Sequence, residues 1–389
     1  MDTEKSEEHT PSKEEIFKDS IFAEFSTLKD PRNGERITHR LSDVLFMTIC
    51  AVLCGANNIK EIAAYAKRRE SWLTSLLSLS NGIPCYVSFW WILALLDPEQ
   101  VQESFVNWVQ SVANLTNGKV RAIDGKALRG TNKKGKNNSF VHMVSMWACS
   151  EGLSLGMVKV DDKSNEITAI PKLLEMIDIK GTIVTIDAMG TQTTIAEQIQ
   201  NNGGDYILAL KGNHSTLHGE VENFFQQAEA VEFDGVEHSS YHVIEQGHGR
   251  TEKREAYVTE DIEWLPRKEE WKGLKSLIMI VSERTVNEAS STFRHYYISS
   301  LEEDARTVAH SIRSHWGIEN SCHWVLDIGF REDEQQARAG HIAENFAILR
   351  RIVFNLLKQD KRKAGIELKR KEAGWDPDYL LELLGIKSF

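Results

Sequence analysis

Thr-Ile-Val-Thr-Ile-Asp occupies residues 182–187, and Lys-Val-Arg-Ala-Ile-Asp occupies residues 119–124. The first stretch has the continuous apolar and β-branched character of a strand that is covered on both faces of a sheet. The second is predicted to be a short strand that ends at Asp124. Ligands of open α/β sheets bind beyond the carboxyl ends of the strands. Asp124 and Asp187 are therefore candidate functional residues, with simple turn formation as the alternative for each.

The segments around these two strands predict a mixed α/β sheet. Strands are expected at 141–147 and 153–160, with Glu151-Gly152 as the turn between them. Further along, the pattern predicts helices at 166–177 and 193–201 and a strand at 205–211. Three antiparallel strands followed by parallel strands that are linked by helices are typical of a mixed sheet.

Composition and periodicity divide the rest of the chain into further regions. Residues 1–19 are charged and lack an apolar period, which predicts a disordered tail. Helix-like spacing and the strongly apolar stretch Leu41–Leu53 predict a helical N-terminal domain over 20–115. The other predicted ranges are a core at 118–231 and 301–358, a β-rich insertion at 232–300 with strands at 254–258, 277–281 and 295–299, helices at 304–326 and 342–357, and a basic helical tail at 359–389.

The formal charge of −11 opposes a nucleic-acid partner, because DNA binding normally leaves a basic footprint. Phosphates meet local patches, however, and two segments are basic. Residues 121–140 hold six basic side chains against one acid, and residues 358–372 hold seven against three. Both segments are expected to contact DNA phosphates, with solvated surface as the alternative.

The sequence contains no run of eighteen apolar residues, so no membrane span is predicted. The first twenty residues lack the apolar core of a signal peptide, which predicts a cytoplasmic protein, at the nucleoid when bound to DNA. An odd number of cysteines without a CxxC pair argues against disulfides and against a zinc ribbon.

A third candidate acid lies in Ile-Arg-Ser-His-Trp-Gly-Ile-Glu-Asn-Ser-Cys-His-Trp at residues 312–324. On one continuous helix, His315, Glu319 and His323 are spaced four apart and share a face. This arrangement favours a metal site, and a packed helix with surface histidines is the alternative. The spacing alone does not rank Glu319 above the nearby acids, which are Asp327, Glu332, Asp333 and Glu334.

Seven stretches occur in the order and with the spacing of one transposase family. They are AIDGKALRGT from residue 122, DDKSNEITAIPKLL from 161, TIDAMGTQTTIAEQI from 185, GGDYILALKGNH from 203, EQGHGRTEKRE from 245, YYISSL from 296 and RSHWGIENSCHWVLDIGFREDE from 313. The chain resembles the H-repeat-associated, ISAs-type insertion-sequence transposases of the larger DDE group. The resemblance implies a ribonuclease-H-like core with a β-rich insertion behind a helical N-terminal domain. It also implies that Asp124, Asp187 and Glu319 form an acidic triad.

The resemblance implies DNA cutting and joining by phosphodiester hydrolysis and transesterification, with the triad holding two Mg²⁺ (or Mn²⁺) ions. The expected partner is double-stranded DNA, as terminal inverted repeats and as target, bound by a homo-oligomer. His315 and His323 are expected to orient Glu319 without binding the ions themselves. The residues expected to contact DNA phosphates are Lys126, Arg129, Lys133, Lys134, Lys136, Lys211 and Arg338.

Three places depart from the pattern of relatives, the first of them only from that of the wider DDE group. Around Glu319, many DDE relatives carry Tyr, Arg and Lys where this chain has Ile312, His315 and Leu326. The stretch 85–91 reads Cys-Tyr-Val-Ser-Phe-Trp-Trp instead of a Ser-His-Asp-Thr-Phe run followed by Arg, and Gln336 replaces a basic residue. Two alternatives therefore stay open: a DNA-binding relic with weakened or absent catalysis, and a metal-dependent nuclease that does not transfer strands.

Overall fold

The computed structural model describes residues 20–32, 37–113, 118–132, 140–161, 164–247, 249–287, 289–302 and 304–386. The chain divides into two compact units. The helical unit comprises Met1–Val112, Leu128–Val141 and Val325–Phe389, and the sheet unit comprises Ala113–Ala127 and His142–Trp324. These units are groups of residues that contact one another, which is a different criterion from the one used to draw domain boundaries from the sequence. The predicted domain boundaries therefore stay predictions.

The helices are numbered in chain order. They are α1 (Ile21–Phe25), α2 (Leu41–Leu53), α3 (Ile59–Arg68), α4 (Glu70–Leu76), α5 (Tyr86–Leu95), α6 (Pro98–Val112), α7 (Glu166–Met176), α8 (Thr193–Asn201), α9 (Ser215–Ala230), α10 (Ala305–His315), α11 (Trp324–Phe330), α12 (Ile342–Gln359), α13 (Ile366–Trp375) and α14 (Pro377–Leu383). Among the described residues, none of these helices combines the length and the apolarity needed to cross a bilayer.

The strands are β1 (Val120–Leu128), β2 (Val141–Ala148), β3 (Leu153–Lys159), β4 (Ile183–Ile186), β5 (Asp205–Leu210), β6 (Ser239–Gly247), β7 (Arg250–Thr259), β8 (Ser276–Val286) and β9 (Ala289–Ser299). Over the described residues they form one nine-stranded sheet in the order β3-β2-β1-β4-β5-β9-β8-β7-β6. β4 runs parallel to both β1 and β5, whereas β2 and β3 are antiparallel. This arrangement confirms the predicted mixed, ribonuclease-H-like α/β sheet.

The helical unit is built around two almost wholly buried helices. Every residue of α2 except two in its first turn is buried, and most of α12 is buried as well. The continuous apolarity of α2 thus reflects a helix that is surrounded by others, as its sequence predicts. The shorter helix α3 begins at a side-chain cap. The side chain of Asn58 accepts a hydrogen bond from the backbone of Glu61 at 3.1 Å and starts α3.

The β-rich part of the chain extends the same sheet, because β9 pairs antiparallel with β5. The three strands predicted there are confirmed, and each is longer than its apolar stretch. A fourth strand, β6, was not predicted. Its residues alternate between partly buried and exposed near its start and are exposed towards its end, as befits the edge of a sheet.

The prediction that the first strand ends at Asp124 is wrong, because β1 continues to Leu128. The parallel pairing with β4 does stop there, with Ile123 opposite Ile186. Beyond that point Lys126 and Leu128 are buried, whereas Gly125 and Ala127 are half-buried. This alternating burial keeps the backbone extended although Asp-Gly favours a turn.

The single helix predicted over 304–326 is also wrong. α10 ends at His315, a π-helix covers Ile318–His323, and α11 follows. α10 is held on the sheet by a buried cluster that joins Val308 and Ile312 to Ile183 of β4.

Four residues counted in the basic segments, Arg121, Lys126, Lys369 and Arg370, are buried and do not contribute to a basic surface. Arg121 in the sheet unit is fully buried and pairs with Glu151 at 3.0 Å. In the helical unit, the ammonium of Lys369 donates to the backbone carbonyl of Leu357 at 3.0 Å, and Arg370 donates to that of Val52. A buried guanidinium or ammonium group is costly unless it is hydrogen-bonded, and these carboxylate and carbonyl oxygens are the acceptors that offset the cost.

Candidate active site

The register of two parallel strands brings Asp124 and Asp187 together. Ile123 of β1 lies opposite Ile186 of β4, and each isoleucine is followed directly by one of the aspartates. Asp187 leaves the strand and caps a short 3₁₀ helix, with its carboxylate accepting from the backbone N–H of Met189 at 3.1 Å. Neighbouring strands of a sheet lie about 4.8 Å apart, so the two backbones carry their carboxylates at the same sheet edge.

Glu319 lies on the π-helix Ile318–His323 that follows α10. Ile318 and Cys322 are buried and anchor this turn, whereas Glu319 is exposed. π-Helical turns are rare and occur often at functional sites, because the extra residue re-aims the side chains of the turn.

The three acids are coupled by charge. Burial raises the pKa of Glu319 above its usual value, and the negative charges of Asp124 and Asp187 raise it further, against the positive charges of His323 and Lys211. Burial also raises the pKa of Asp187, and the charges of Glu166 and then Asp124 add to that effect. Both carboxylates are therefore harder to ionise than isolated ones, as expected where like charges converge.

Asp124 behaves differently because it has an imidazole partner. Nδ1 of His323 lies 3.4 Å from its carboxylate oxygen Oδ2. Burial acts to raise the pKa of Asp124, but the hydrogen bond and charge of His323, followed by the charge of His315, hold it below the usual value. Asp124 is thus the most readily ionised of the three acids.

The two histidines contact β1 and β4. His323 faces Asp124, and Nδ1 of His315 shares a 2.9 Å hydrogen bond with the hydroxyl of Thr185 on β4. Burial lowers the pKa of His315, which favours the neutral ring. Their expected role of orienting Glu319 stays a prediction.

The other acids near Glu319 in the sequence have partners of their own in the helical unit. Glu332 is fully buried and pairs at 2.8 Å with Arg351, which is equally buried. Asp333 accepts a 3.3 Å hydrogen bond from the backbone N–H of Arg129, and its carboxylate lies 3.7 Å from the Arg129 guanidinium. These contacts give the two acids a structural role and favour Glu319 as the third member of the triad.

The residues expected to bind phosphate differ in their exposure. Lys211 is exposed at the end of β5, and its charge lowers the pKa of both Glu319 and His315. Lys126 is only 7% exposed. In the helical unit Arg129 and Arg338 are exposed, and Arg338 donates to the carbonyl of Gly130 at 3.2 Å. Lys133, Lys134 and Lys136 lie outside the described residues, as does the predicted tail at 1–19.

Sequence reasoning missed one carboxylate of this cluster, that of Glu166 at the start of α7. After burial, its charge is the largest influence that raises the pKa of Asp187. The available signal was its place in the stretch Ser-Asn-Glu-Ile, where Asn165 caps the helix and presents the next residue at its first turn.

In the part of the chain that the structure describes, no three His, Cys, Asp or Glu side chains are grouped closely enough to hold a metal ion. The donor chemistry nevertheless fits a hard divalent cation, because carboxylate oxygens are its preferred protein ligands. Nε2 of the buried His323 also has no hydrogen-bond partner within the described residues. A cation-bound water or a phosphate oxygen has the chemistry to satisfy that nitrogen.

Comparison with known proteins identifies the chain. Residues 116–356 match the family model described as Transposase DDE domain. This chain belongs to the DDE transposase family. The helical part of the DDE transposase, residues 22–109, matches a second model, described as DDE_Tnp_1-associated.

Its relatives include putative transposases, one of them described as H repeat-associated, which confirms the resemblance inferred from the seven sequence stretches. The DDE transposase is 39% identical to "Putative transposase YncI" of Escherichia coli O157:H7, over 94% of each chain. It is also 39% identical to "H repeat-associated putative transposase YhhI" of Escherichia coli strain K12, over 94% of this chain and 97% of that one. The cryo-EM structure of the piggyBac transposase synaptic complex with hairpin DNA has a TM-score of 0.40 at 11% identity, covering 95% of this chain and 77% of that one.

Proposed function

We propose that this DDE transposase cuts and joins the DNA strands of an insertion element by phosphodiester hydrolysis and transesterification. Asp124, Asp187 and Glu319 hold the divalent cations, Mg²⁺ or Mn²⁺, that the reaction needs. The observation that carries the proposal is the parallel register of β1 and β4, which places Asp124 and Asp187 side by side. The charge coupling of both aspartates to Glu319 adds the third acid to the same site.

Bound cations supply Lewis acidity to the attacking water or 3′-hydroxyl and charge stabilisation to the leaving oxygen. The chain supplies the negative charge that retains them. The pKa values of Asp187 and Glu319 are raised first by burial and then by the neighbouring negative charges; a bound cation offsets both effects, so binding favours the ionised forms. His323 favours the ionised form of Asp124 and holds the Asp124 carboxylate towards its own ring. No side chain has to form a covalent intermediate.

Double-stranded DNA is the proposed partner, as terminal inverted repeats and as target, bound by a homo-oligomer of this chain. Lys211 is the best-supported phosphate contact, because it is exposed and its charge already acts on Glu319. Arg129 and Arg338 are exposed and suit phosphate as well. Lys126, Lys133, Lys134 and Lys136 complete the proposed set.

Cleavage and strand-transfer assays test this function. Plasmid DNA that carries the element's ends is incubated with Mg²⁺, Mn²⁺ or Ca²⁺, and pre-cut ends are offered separately. We expect nicking with Mg²⁺ or Mn²⁺ and little with Ca²⁺, which accepts looser coordination. Glu334→Gln, an exposed acid beside a surface arginine, is the control and should cut normally.

The same assays separate the alternatives. DNA binding without nicking in any metal identifies a non-catalytic relic. Nicking without joining of pre-cut ends identifies a nuclease. Full cleavage in excess chelator, or equal turnover with Ca²⁺, overturns the proposed cation chemistry.

A further inference from the structure

A histidine–glutamate pair adjoins the two aspartates and has no part in the reaction proposed above. Nε2 of His142, on β2, lies 2.9 Å from Oε1 of Glu166, the first residue of α7. The Glu166 side chain is only 14% exposed. The pair joins a strand of the sheet to the helix that precedes β4, so it fixes where the Glu166 carboxylate points.

The carboxylate of Glu166 lies against the backbone immediately after Asp124. A Cβ atom added at Gly125 would come within 2.0 Å of Oε1 and 2.3 Å of Cδ of Glu166. The backbone of Gly125 does not have a positive φ, so chain conformation does not require glycine there. A side chain at this position would displace the Glu166 carboxylate, which is the movable end of its side chain, so glycine is what lets the carboxylate stay beside this backbone.

The helix that carries Glu166 also packs beside the second aspartate. A Cβ atom added at Gly190, in the 3₁₀ helix that Asp187 caps, would come within 2.7 Å of Cδ1 of Ile170, one turn further along α7. The first turn of α7 therefore lies against the backbone that follows each of the two aspartates.

We propose that Glu166 is a fourth acidic residue of the cation site, positioned by His142 and admitted by Gly125. This inference rests on the proposed function, since the cation is the one that Asp124, Asp187 and Glu319 hold. Glu166 acts by adding negative charge beside Asp124 and Asp187, either on the cation directly or through a water bound to it. His142 is a positioning residue that acts through Glu166.

Binding of Mn²⁺ to the full-length protein, without DNA, tests the proposal. Affinity is read from the free Mn²⁺ signal in electron paramagnetic resonance. Glu166→Gln keeps the size of the side chain and removes its charge, and we expect Mn²⁺ binding to weaken about tenfold, at the lower end of the effect of groups around a metal site. Glu175→Gln, an exposed acid on the same helix, is the matched control and should leave affinity unchanged.

Two further variants move the carboxylate without deleting it. Gly125→Ala forces Glu166 away from its place and should weaken Mn²⁺ binding in the same direction as Glu166→Gln. Gly219→Ala is its control, because a Cβ there meets nothing within 4 Å. His142→Ala should weaken binding less than Glu166→Gln, and combining it with Glu166→Gln should add nothing, because His142 acts only through that carboxylate.

The outcomes distinguish this inference from the proposed function. If Asp187→Asn weakens Mn²⁺ binding and Glu166→Gln and Gly125→Ala do not, Glu166 is structural and the inference is overturned. If Asp124→Asn, Asp187→Asn and Glu319→Gln all leave binding unchanged, the proposed cation site itself fails. Should Glu166→Gln not fold, as judged by its melting curve, Gly125→Ala and His142→Ala decide the matter.

Discussion

Two groups of acids in this chain have opposite electrostatic character. At the edge of β1 and β4, Asp187 and Glu319 have raised pKa values and gather negative charge in a half-exposed place. In the helical unit, Glu332 is fully buried and matched by Arg351 at 2.8 Å. Residue spacing alone does not rank Glu319 above Glu332. Full burial against an arginine partner favours a structural role for Glu332, whereas accumulated negative charge near solvent favours the functional role that we propose for Asp187 and Glu319.

The largest expected effect is the loss of catalysis at the unbalanced group. Asp124→Asn, Asp187→Asn and Glu319→Gln should each lower Mg²⁺-dependent nicking by on the order of a thousandfold or more, and a double variant should be scarcely worse than a single one. Initial nicking rates on supercoiled plasmid give the comparison. DNA binding, measured by gel shift, should persist.

The outcome that would reverse the comparison is a triad variant that still cuts. If Glu319→Gln retains near-normal nicking while Asp333→Asn abolishes it at unchanged stability, the third acid is misassigned.

The matched pair should respond in stability. Glu332→Gln leaves the Arg351 guanidinium buried without a counter-charge, so the free energy of unfolding should fall by about 3–5 kcal/mol. Urea denaturation followed by circular dichroism measures the change. Replacing both partners together, Glu332→Leu with Arg351→Met, should recover most of the loss because no charge is then left unpaired. A single variant as stable as the parent would mean that the pair is not buried in solution.

The unbalanced group should respond to pH in the reverse sense from an ordinary ion-paired acid. The raised pKa of Asp187 means that the folded state holds the proton more tightly than the unfolded state. Stability therefore falls as pH rises through the ordinary and then the raised pKa, and the penalty is complete at neutral pH.

Asp187→Asn removes that penalty and keeps an oxygen to cap the 3₁₀ helix. In chelator at pH 7.5 it should melt at a higher temperature than the parent, and the difference should vanish below pH about 3.9. Added Mg²⁺ should raise the melting temperature of the parent more than that of the variant. A lower melting temperature for Asp187→Asn at pH 7.5 would contradict the charge imbalance.

The smallest expected effect concerns the binding of phosphate by single lysines. Lys211→Ala should reduce the slope of log affinity against log salt by about 0.9, the value expected when the protein neutralises one phosphate fewer. Lys180→Ala is the control, because this exposed lysine precedes β4 and so lies at the strand end away from Asp187. Fluorescence anisotropy over a salt series measures both slopes. Equal slopes for the two variants would mean that Lys211 is an ordinary solvated lysine that does not contact phosphate.

Local pattern predicted those parts of the fold that are governed by local pattern. The apolar stretch of β4 and the helix Leu41–Leu53 lie where the sequence puts them, because each is surrounded by other elements and so must be apolar throughout. The edge strand β6 escaped prediction because it buries little on either face. β6 is a strand because it pairs with β7, and its own composition does not indicate a strand.

Long-range contacts account for most of what sequence reasoning missed at the site. The aspartates were chosen from strand ends, but Asp124 lies within β1, and what makes its position special is the end of pairing with β4. Glu166 reaches the cluster through its contact with His142. Basic residues such as Arg121 counted towards a surface patch because a net charge per segment carries no information on burial.

The π-helix after α10 changes the direction in which the following side chains point around the helix axis. An α-helix turns by about 100° per residue. In an unbroken helix His323, eight residues after His315, would therefore point about 80° away from the direction of His315. Cys322, seven residues after His315, would point in nearly the same direction as His315. A π-helical turn contains one extra residue, so the side chains that follow it are rotated back about the helix axis by roughly the angle of one residue. His323 thereby takes the azimuth that Cys322 would have held, in line with His315, and the pair can touch adjacent strands at Asp124 and Thr185. A regular α-helix over the same residues, with none removed, would instead bring the thiol of Cys322 in line with His315 and turn the imidazole of His323 away from Asp124.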